Sequence, residues 1–284
     1  MKHTDIFCRV VMLRRILISV LFFSHSLFLS LSPAALAESD KIVIYFYSSE
    51  SGISNFKSLK TEFDTYFSTF GPYEFQPVKK QHDFENSVKE RKQCLLLMSS
   101  WHYNKIYETY LLQPALVGVR KGKTCQKRIL VGKGVSAGIE DAKTETIASA
   151  GSITHNRVAL TGIFGEKDIA DKAEILTVPK DIDALMTVGL GMAQYALVAE
   201  NSVDQLKMVN PMLYKDMEII AEGKESMLMI LAFPESMEGS KSMTELIRII
   251  HDMPLTTDGR KKIKRFGLDG WKRIDSPEKL KLEG

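Results

Sequence analysis

The sequence predicts an α/β protein built as two lobes. Three observations carry that expectation: strand-length runs of β-branched and aromatic residues alternate with helical apolar stripes; the alternation breaks once, near residues 114–131, and then restarts; and no Pro/Ser-rich linker separates the halves. Composition agrees, because 284 residues at 44% hydrophobic and 26% charged supply a core for two lobes of ordinary size. Three Cys are too few for a disulfide-dense scaffold, and a formal charge of +3 is no footprint for nucleic acid.

The first element is an address. Residues 1–37 start with Lys2, Arg9, Arg14 and Arg15, run apolar from Ile16 to Leu31, and close on Ala35-Leu36-Ala37, the small-x-small pattern of a signal peptide cut before Glu38. Ser24, His25, Ser26, Ser30 and Ser32 interrupt the apolar run and argue against a retained anchor. Met12 opens a more typical signal and is an alternative start to Met1. Cleavage leaves 247 residues with 34 basic and 34 acidic side chains, a neutral exported chain without a Cys at its start to carry a lipid. Arg260, Lys261, Lys262, Lys264 and Arg265 then read as a solvated helix face.

Residues 41–47 form a buried strand ending at the polar turn Ser48-Ser49-Glu50-Ser51-Gly52. Phe56, Leu59, Phe63, Tyr66, Phe67 and Phe70 recur at steps of three and four and predict a helix stopped by Gly71-Pro72. A strand over 73–78, a short helix over 83–90 around Phe84 and Val88, and a strand over 94–99 complete a pattern that calls for a parallel sheet. Residues 114–120 and 127–131 are two further strands around Lys121-Gly122-Lys123, a hairpin or a pair at a lobe boundary. The alternation then resumes with strands at 146–149, 174–178 and 195–198 and helices at 153–163, 181–188 and 203–209. A strand over 228–233 is followed by helices, one striped by Met243, Leu246, Ile247 and Ile250 and one over 256–266, before Gly267-Leu268-Asp269-Gly270-Trp271 turns the chain. The lobes are accordingly expected at 38–130 with 229–284, and at 131–228.

Several fragments resemble the phosphate/phosphite/phosphonate-type periplasmic binding proteins. They are Phe84-Glu85, Leu116-Val117-Gly118-Val119-Arg120-Lys121-Gly122, Ile139-Glu140-Asp141-Ala142-Lys143 leading to Thr146-Ile147-Ala148-Ser149, Val178-Pro179-Lys180-Asp181-Ile182-Asp183-Ala184-Leu185-Met186, Asn210-Pro211 and Gly267-Leu268-Asp269-Gly270-Trp271. Their order spans nearly all of the exported chain. The resemblance implies a type II periplasmic-binding-protein fold, each lobe a mainly parallel sheet flanked by helices, closing on a small oxyanion and passing it to an ABC permease in the inner membrane. It also implies a monomer in the periplasm, with no cofactor and no metal.

Carried onto this chain, the family's ligand loops fall at Tyr47, Ser48 and Ser49; at Ser99, Ser100 and Trp101, with Tyr103 beside them; and at Ser149, Ser152, Thr154 and His155. Backbone N–H groups and the positive end of a helix favour an anion there, and hydroxyls add donors. The same Ser residues suit helix N-caps equally well. The family's Ser-Thr-Ser-Gly turn reads here Ala148-Ser149-Ala150-Gly151, and Gln194 stands where the family tends to carry an acid. Trp101 and Tyr103 offer apolar surface with polar tips, so the alternative is the same fold repurposed as a sensor partner or as a carrier of a more apolar ligand outside ABC import.

Catalysis is not predicted. The exported chain has four His, at 82, 102, 155 and 251, and none sits in a metal or nucleophile motif. A hydrolase would need His102 or His155 beside a cleft Ser. Cys94 and Cys125 could pair in an oxidising compartment, whereas Cys94 inside Cys94-Leu95-Leu96-Leu97-Met98 reads as a buried thiol.

Overall fold

The computed structural model describes residues 41–50, 55–134 and 138–274. The chain divides into a unit ending at Lys41 and a compact unit, Ile42–Gly284, to which all that follows belongs. The expected signal peptide and its cleavage site lie outside the described residues.

The order of elements begins with β1 (Ile42–Phe46), α1 (Phe56–Phe67), β2 (Tyr73–Pro77), α2 (Gln81–Glu90), β3 (Cys94–Met98), α3 (Ser100–Tyr110) and β4 (Leu112–Val119). It continues with β5 (Cys125–Lys133), α4 (Ile139–Ala142), β6 (Ile147–Ser149), α5 (Ile153–Phe164), α6 (Lys167–Lys172), β7 (Ile175–Thr177), α7 (Asp181–Gly189), β8 (Tyr195–Ala199), α8 (Asn201–Val209), α9 (Pro211–Tyr214) and β9 (Met217–Met227). The chain returns through β10 (Ile230–Pro234), α10 (Lys241–Asp252), α11 (Thr257–Lys264) and β11 (Gly270–Arg273).

These strands make two sheets, ordered β11-β4-β10-β3-β1-β2 and β7-β6-β8-β5-β9. Both are mixed rather than mainly parallel. The parallel sets expected from the alternation are there, β2-β1-β3 in one and β7-β6-β8 in the other, but β4, β10 and β11 in the first sheet and β5 and β9 in the second pair antiparallel. The reason lies in the crossings between lobes. β4 and β5 are not a hairpin: a single bridge, Arg120 to Lys123, joins them before β5 enters the second sheet. β9 then runs back along β5 and leads into β10 of the first sheet. The two crossings at 120–124 and 228–229 are therefore the connections between lobes.

The period-2 geometry of a strand explains why β1 is apolar throughout. Ile42, Ile44 and Phe46 enter one core with Phe63, Phe67, Leu246 and Ile250, while Val43, Tyr45 and Tyr47 enter another with Phe84, Val88, Tyr103 and Ile106. Phe63 stacks on Phe75 of β2 with ring centroids 4.5 Å apart, locking α1 to the sheet. Phe70, past the end of α1, is 47% exposed and does not extend the buried stripe. The second lobe repeats the plan: Ile129, Val131, Ala148 and Val198 face α7 and α8, and Leu130, Ile147, Tyr195 and Leu197 face α5 and α6. Cys94 is a buried free thiol, and Cys125 is half-buried.

Candidate functional site

In open α/β sheets ligands bind beyond the carboxyl ends of parallel strands. The residues that follow β1, β2, β6 and β7 meet there, and Tyr47, Ser48, Val78, Lys79, Ser152 and Thr177 line a cavity of ≈ 540 Å³ between the lobes. The lobes also touch directly at this seam. The Ser152 N–H donates to the Ser49 carbonyl over 2.8 Å, and Ser152 hydrogen-bonds the Tyr47 hydroxyl. Burial, opposed by that bond and reinforced by the Glu85 charge, raises the Tyr47 pKa, so the phenol stays a neutral donor.

α5 starts at this cavity. The Ser152 hydroxyl accepts from the His155 N–H over 3.2 Å, which caps the helix, and the Ser152 N–H is taken by Ser49. The N–H groups of Ile153 and Thr154, in the first turn, have no intrahelical acceptor and sit at the positive end of the dipole. Lys79 stands opposite, exposed, with its ammonium 5.5 Å from the Phe56 ring centroid. Among the described residues Lys79 has no ion pair, leaving its charge available to an anion.

A second interlobe cavity, ≈ 330 Å³, is lined by Glu50, Arg120, Gln126, Arg128 and Asp181, which are held in hydrogen bonds, and also by Lys180, Lys264 and Arg265. Gln126 donates to the Glu50 carboxylate at 2.9 Å, Arg120 donates to Gln126 and Asn201 at 3.0 and 2.9 Å, and Arg120 Nε donates to the Gly267 carbonyl at 2.6 Å. Burial raises the Glu50 pKa, with Arg128 and the Gln126 bond opposing it. On β5 the Arg128 guanidinium donates to Asp181 at 3.1 Å, to Ser149 Oγ at 2.9 Å and to the Leu197 carbonyl at 2.7 Å. This network joins first-lobe residues Glu50 and Gly267 to Asn201 of the second lobe through Gln126 and Arg120.

A third cavity, ≈ 310 Å³ and mostly apolar, lies where α3 faces α5 and β9, with Ser100, Trp101, Arg128 and His155 in its wall. The Trp101 and His155 rings meet edge to face at 5.5 Å. Burial, followed by the Arg128 charge, pushes the His155 pKa down to about 3, so its imidazole is neutral.

The residues singled out from sequence thus divide between places. Tyr47, Ser48 and Ser152 line the Lys79 cavity, and Ser100, Trp101 and His155 line the apolar one. Ser49 and Ser99 share a hydrogen bond of 2.6 Å, Ser99 caps α3, Ser100 donates to the Met227 carbonyl at 2.7 Å, and Ser149 donates to the Leu197 carbonyl at 2.7 Å. Thr154 is exposed on the first turn of α5. Tyr103 is buried beneath β4 with its hydroxyl on the Leu112 carbonyl at 3.2 Å. Lys79, Thr177 and Arg128 were not singled out. A cation that opens an apolar strand run, as in Arg128-Ile129-Leu130-Val131, is the signal that marks Arg128, because a buried strand carries such a charge only with partners. Among the described residues no group of three or more His, Cys, Asp or Glu is placed to hold a metal ion, and no helix is long and apolar enough to cross a membrane.

No protein-family model matches the chain, and no curated protein does. Solved structures do. A binding-protein component of an ABC phosphonate transporter from Pseudomonas aeruginosa is 14% identical, with 85% of each chain covered and a TM-score of 0.63. PhnD1 of Prochlorococcus marinus, solved in complex with methylphosphonate, is 11% identical over 85% of this chain and 94% of that one, with a TM-score of 0.62. The protein XAC2383 of Xanthomonas citri, solved with ATP, is 14% identical over 86% and 95%, with a TM-score of 0.61. The chain therefore has the two-lobed α/β fold of periplasmic binding proteins.

Proposed function

We propose that this chain is the periplasmic solute-binding component of an ABC importer, and that it captures a small phosphate- or phosphonate-like oxyanion without chemically changing it. One observation carries the reading: Tyr47, Ser48 and Lys79 of the first lobe face Ser152, Thr177 and the start of α5 in the second lobe across one cavity. An ammonium, three kinds of hydroxyl and a helix N-terminus are the donors that an oxyanion recruits. The likeness to the phosphonate-transporter component and to PhnD1 supports the same class of ligand.

Binding and closure are coupled in this reading. An anion that touches Lys79 from one lobe and the α5 N-terminus from the other favours the arrangement in which both are near, so it shifts the lobes toward the closed form. Closure then presents the surface that the permease reads. The apolar signal-like segment at 1–37 supports export to the compartment where such a partner is met.

Calorimetric titration with phosphate, phosphite, methylphosphonate and ATP tests the proposal. One of the first three is expected to bind at a single site, and Lys79→Ala to weaken it at least tenfold, about 1.4 kcal/mol. Binding that is indifferent to Lys79→Ala and Ser152→Ala would refute the site.

A further inference from the structure

We infer that the cavity between α3 and α5 is a second ligand site, shaped for a small uncharged ring compound that carries one hydrogen-bond acceptor. This inference does not depend on the oxyanion reading, because the two cavities share no lining residue. At ≈ 310 Å³ it falls at the lower end of the volumes that hold small molecules. Its walls are largely apolar, with Trp101 on the first-lobe side and Val158, Ala159 and Gly162 of α5 on the other.

Two polar side chains in that wall are incomplete. Arg128 and His155 are each only 6% exposed, and among the described residues Arg128 Nε and His155 Nδ1 have no hydrogen-bond partner. The other two guanidinium nitrogens are bonded to Asp181, Ser149 and the Leu197 carbonyl, so Nε–H is the donor left over. Buried polar atoms are nearly always paired, and an orphan pair in a cavity wall points to what the cavity takes up. Both atoms are covered in this structure, so a guest reaches them only by displacing a wall side chain; one acceptor oxygen then satisfies Nε–H, and a neighbouring donor or acceptor satisfies Nδ1 according to the tautomer.

The charge of the guest follows from the pairing. Asp181 lies 3.1 Å from Arg128 and balances it, burial keeps His155 neutral, and the exposed Lys224 and Glu225 of the wall carry opposite charges, so the wall offers no net charge to an ionic ligand. Trp101 and His155, edge to face at 5.5 Å, offer aromatic surface to a ring. Gly162 completes the argument: a Cβ built there meets nothing within 4 Å, so the helix leaves open space where a side chain would otherwise stand.

Benzamide is the probe. In 15N-labelled protein the Trp101 indole resonance is expected to shift saturably with benzamide, while that of Trp271, buried in the first-lobe core, stays in place. Gly162→Leu fills the space and is expected to weaken the probe at least tenfold; Lys79→Ala is expected to change it less than twofold. Benzoate is expected to bind more weakly than benzamide. Absence of a saturable Trp101 shift, or equal affinity in Gly162→Leu, overturns the site, and tighter binding of benzoate overturns the uncharged class. Should Gly162→Leu not fold, His155→Phe keeps a ring and removes Nδ1, and undiminished affinity in it overturns the inference. Loss of methylphosphonate binding with the benzamide response intact would count against the oxyanion reading alone.

Discussion

Gly151 holds the seam between the lobes, and Gly151→Ala is the change that tests how. Its φ is +83°, in the left-handed region, and a Cβ there would stand inside contact distance of the Ser49 carbonyl oxygen and 2.9 Å from the Glu50 carbonyl carbon. Neither obstacle is the tip of a flexible side chain, so relief requires the turn to move away from the first lobe. Left-handed backbone costs an L-residue about 1–2 kcal/mol. The Ser152 N–H to Ser49 carbonyl bond at 2.8 Å is lost as well, a net term of about 1 kcal/mol. Together about 2–3 kcal/mol is withdrawn from the closed arrangement, which moves the closed-to-open ratio by roughly 30- to 140-fold at 1.4 kcal/mol per decade. Small-angle scattering is expected to show a larger radius of gyration for Gly151→Ala than for wild type without ligand. If the lobes stay shut the strain remains, and Tm falls by roughly 4–12 °C on the scale for a chain of this size. A scattering curve and a Tm both identical to wild type would refute the account of the seam.

Three further predictions concern buried groups. With His155 held near 3 in the folded protein and near 6.5 in the unfolded chain, only the unfolded chain takes up a proton as pH drops below 6.5. Its contribution is complete above that pH and falls by about 2 kcal/mol by pH 5; denaturant melts at pH 7 and 5 should show this, and an unchanged pH difference in His155→Phe contradicts it. Arg128→Met leaves the partly buried Asp181 without its partner at 3.1 Å, with only the Ala199 N–H and the Ser202 hydroxyl still on it, and is expected to cost up to about 3 kcal/mol, much of it recovered by adding Asp181→Leu; a cost under about 1 kcal/mol by urea unfolding contradicts the pairing. Burial pushes the Cys94 thiol up to about 12, so iodoacetamide at pH 8 should leave it unmodified until the protein unfolds; labelling of folded protein at the denatured rate counts against this burial.

Much of the fold was legible because its determinants are local. β1 and β3 are apolar on both faces, and α10 repeats Met243, Leu246, Ile247 and Ile250 on one face, patterns that short windows detect. α3 was not, since Ser100-Trp101-His102-Tyr103 buries a Ser and a His that only tertiary partners make acceptable: Met227 for Ser100 and Glu85 for His102. β9 was also hidden. Met217–Met227 is an edge strand rich in Glu and Lys, with most of its residues partly or fully exposed, and its pairing with β5 spans a long stretch of sequence. The site shows the same division. Tyr47, Ser48 and Ser152 follow strands or cap a helix, which spacing reveals, whereas Lys79 sits in a short Val78-Lys79-Lys80 step that nothing local distinguishes from surface charge.

Arsenate offers the most direct test of where the ligand goes, since it is an oxyanion that anomalous scattering can locate in a crystal. The account predicts one arsenate within hydrogen-bond distance of Lys79, Tyr47 and Ser152, touching both lobes. Arsenate placed instead among Arg120, Arg128 and Lys264, or absent from the seam altogether, would contradict it.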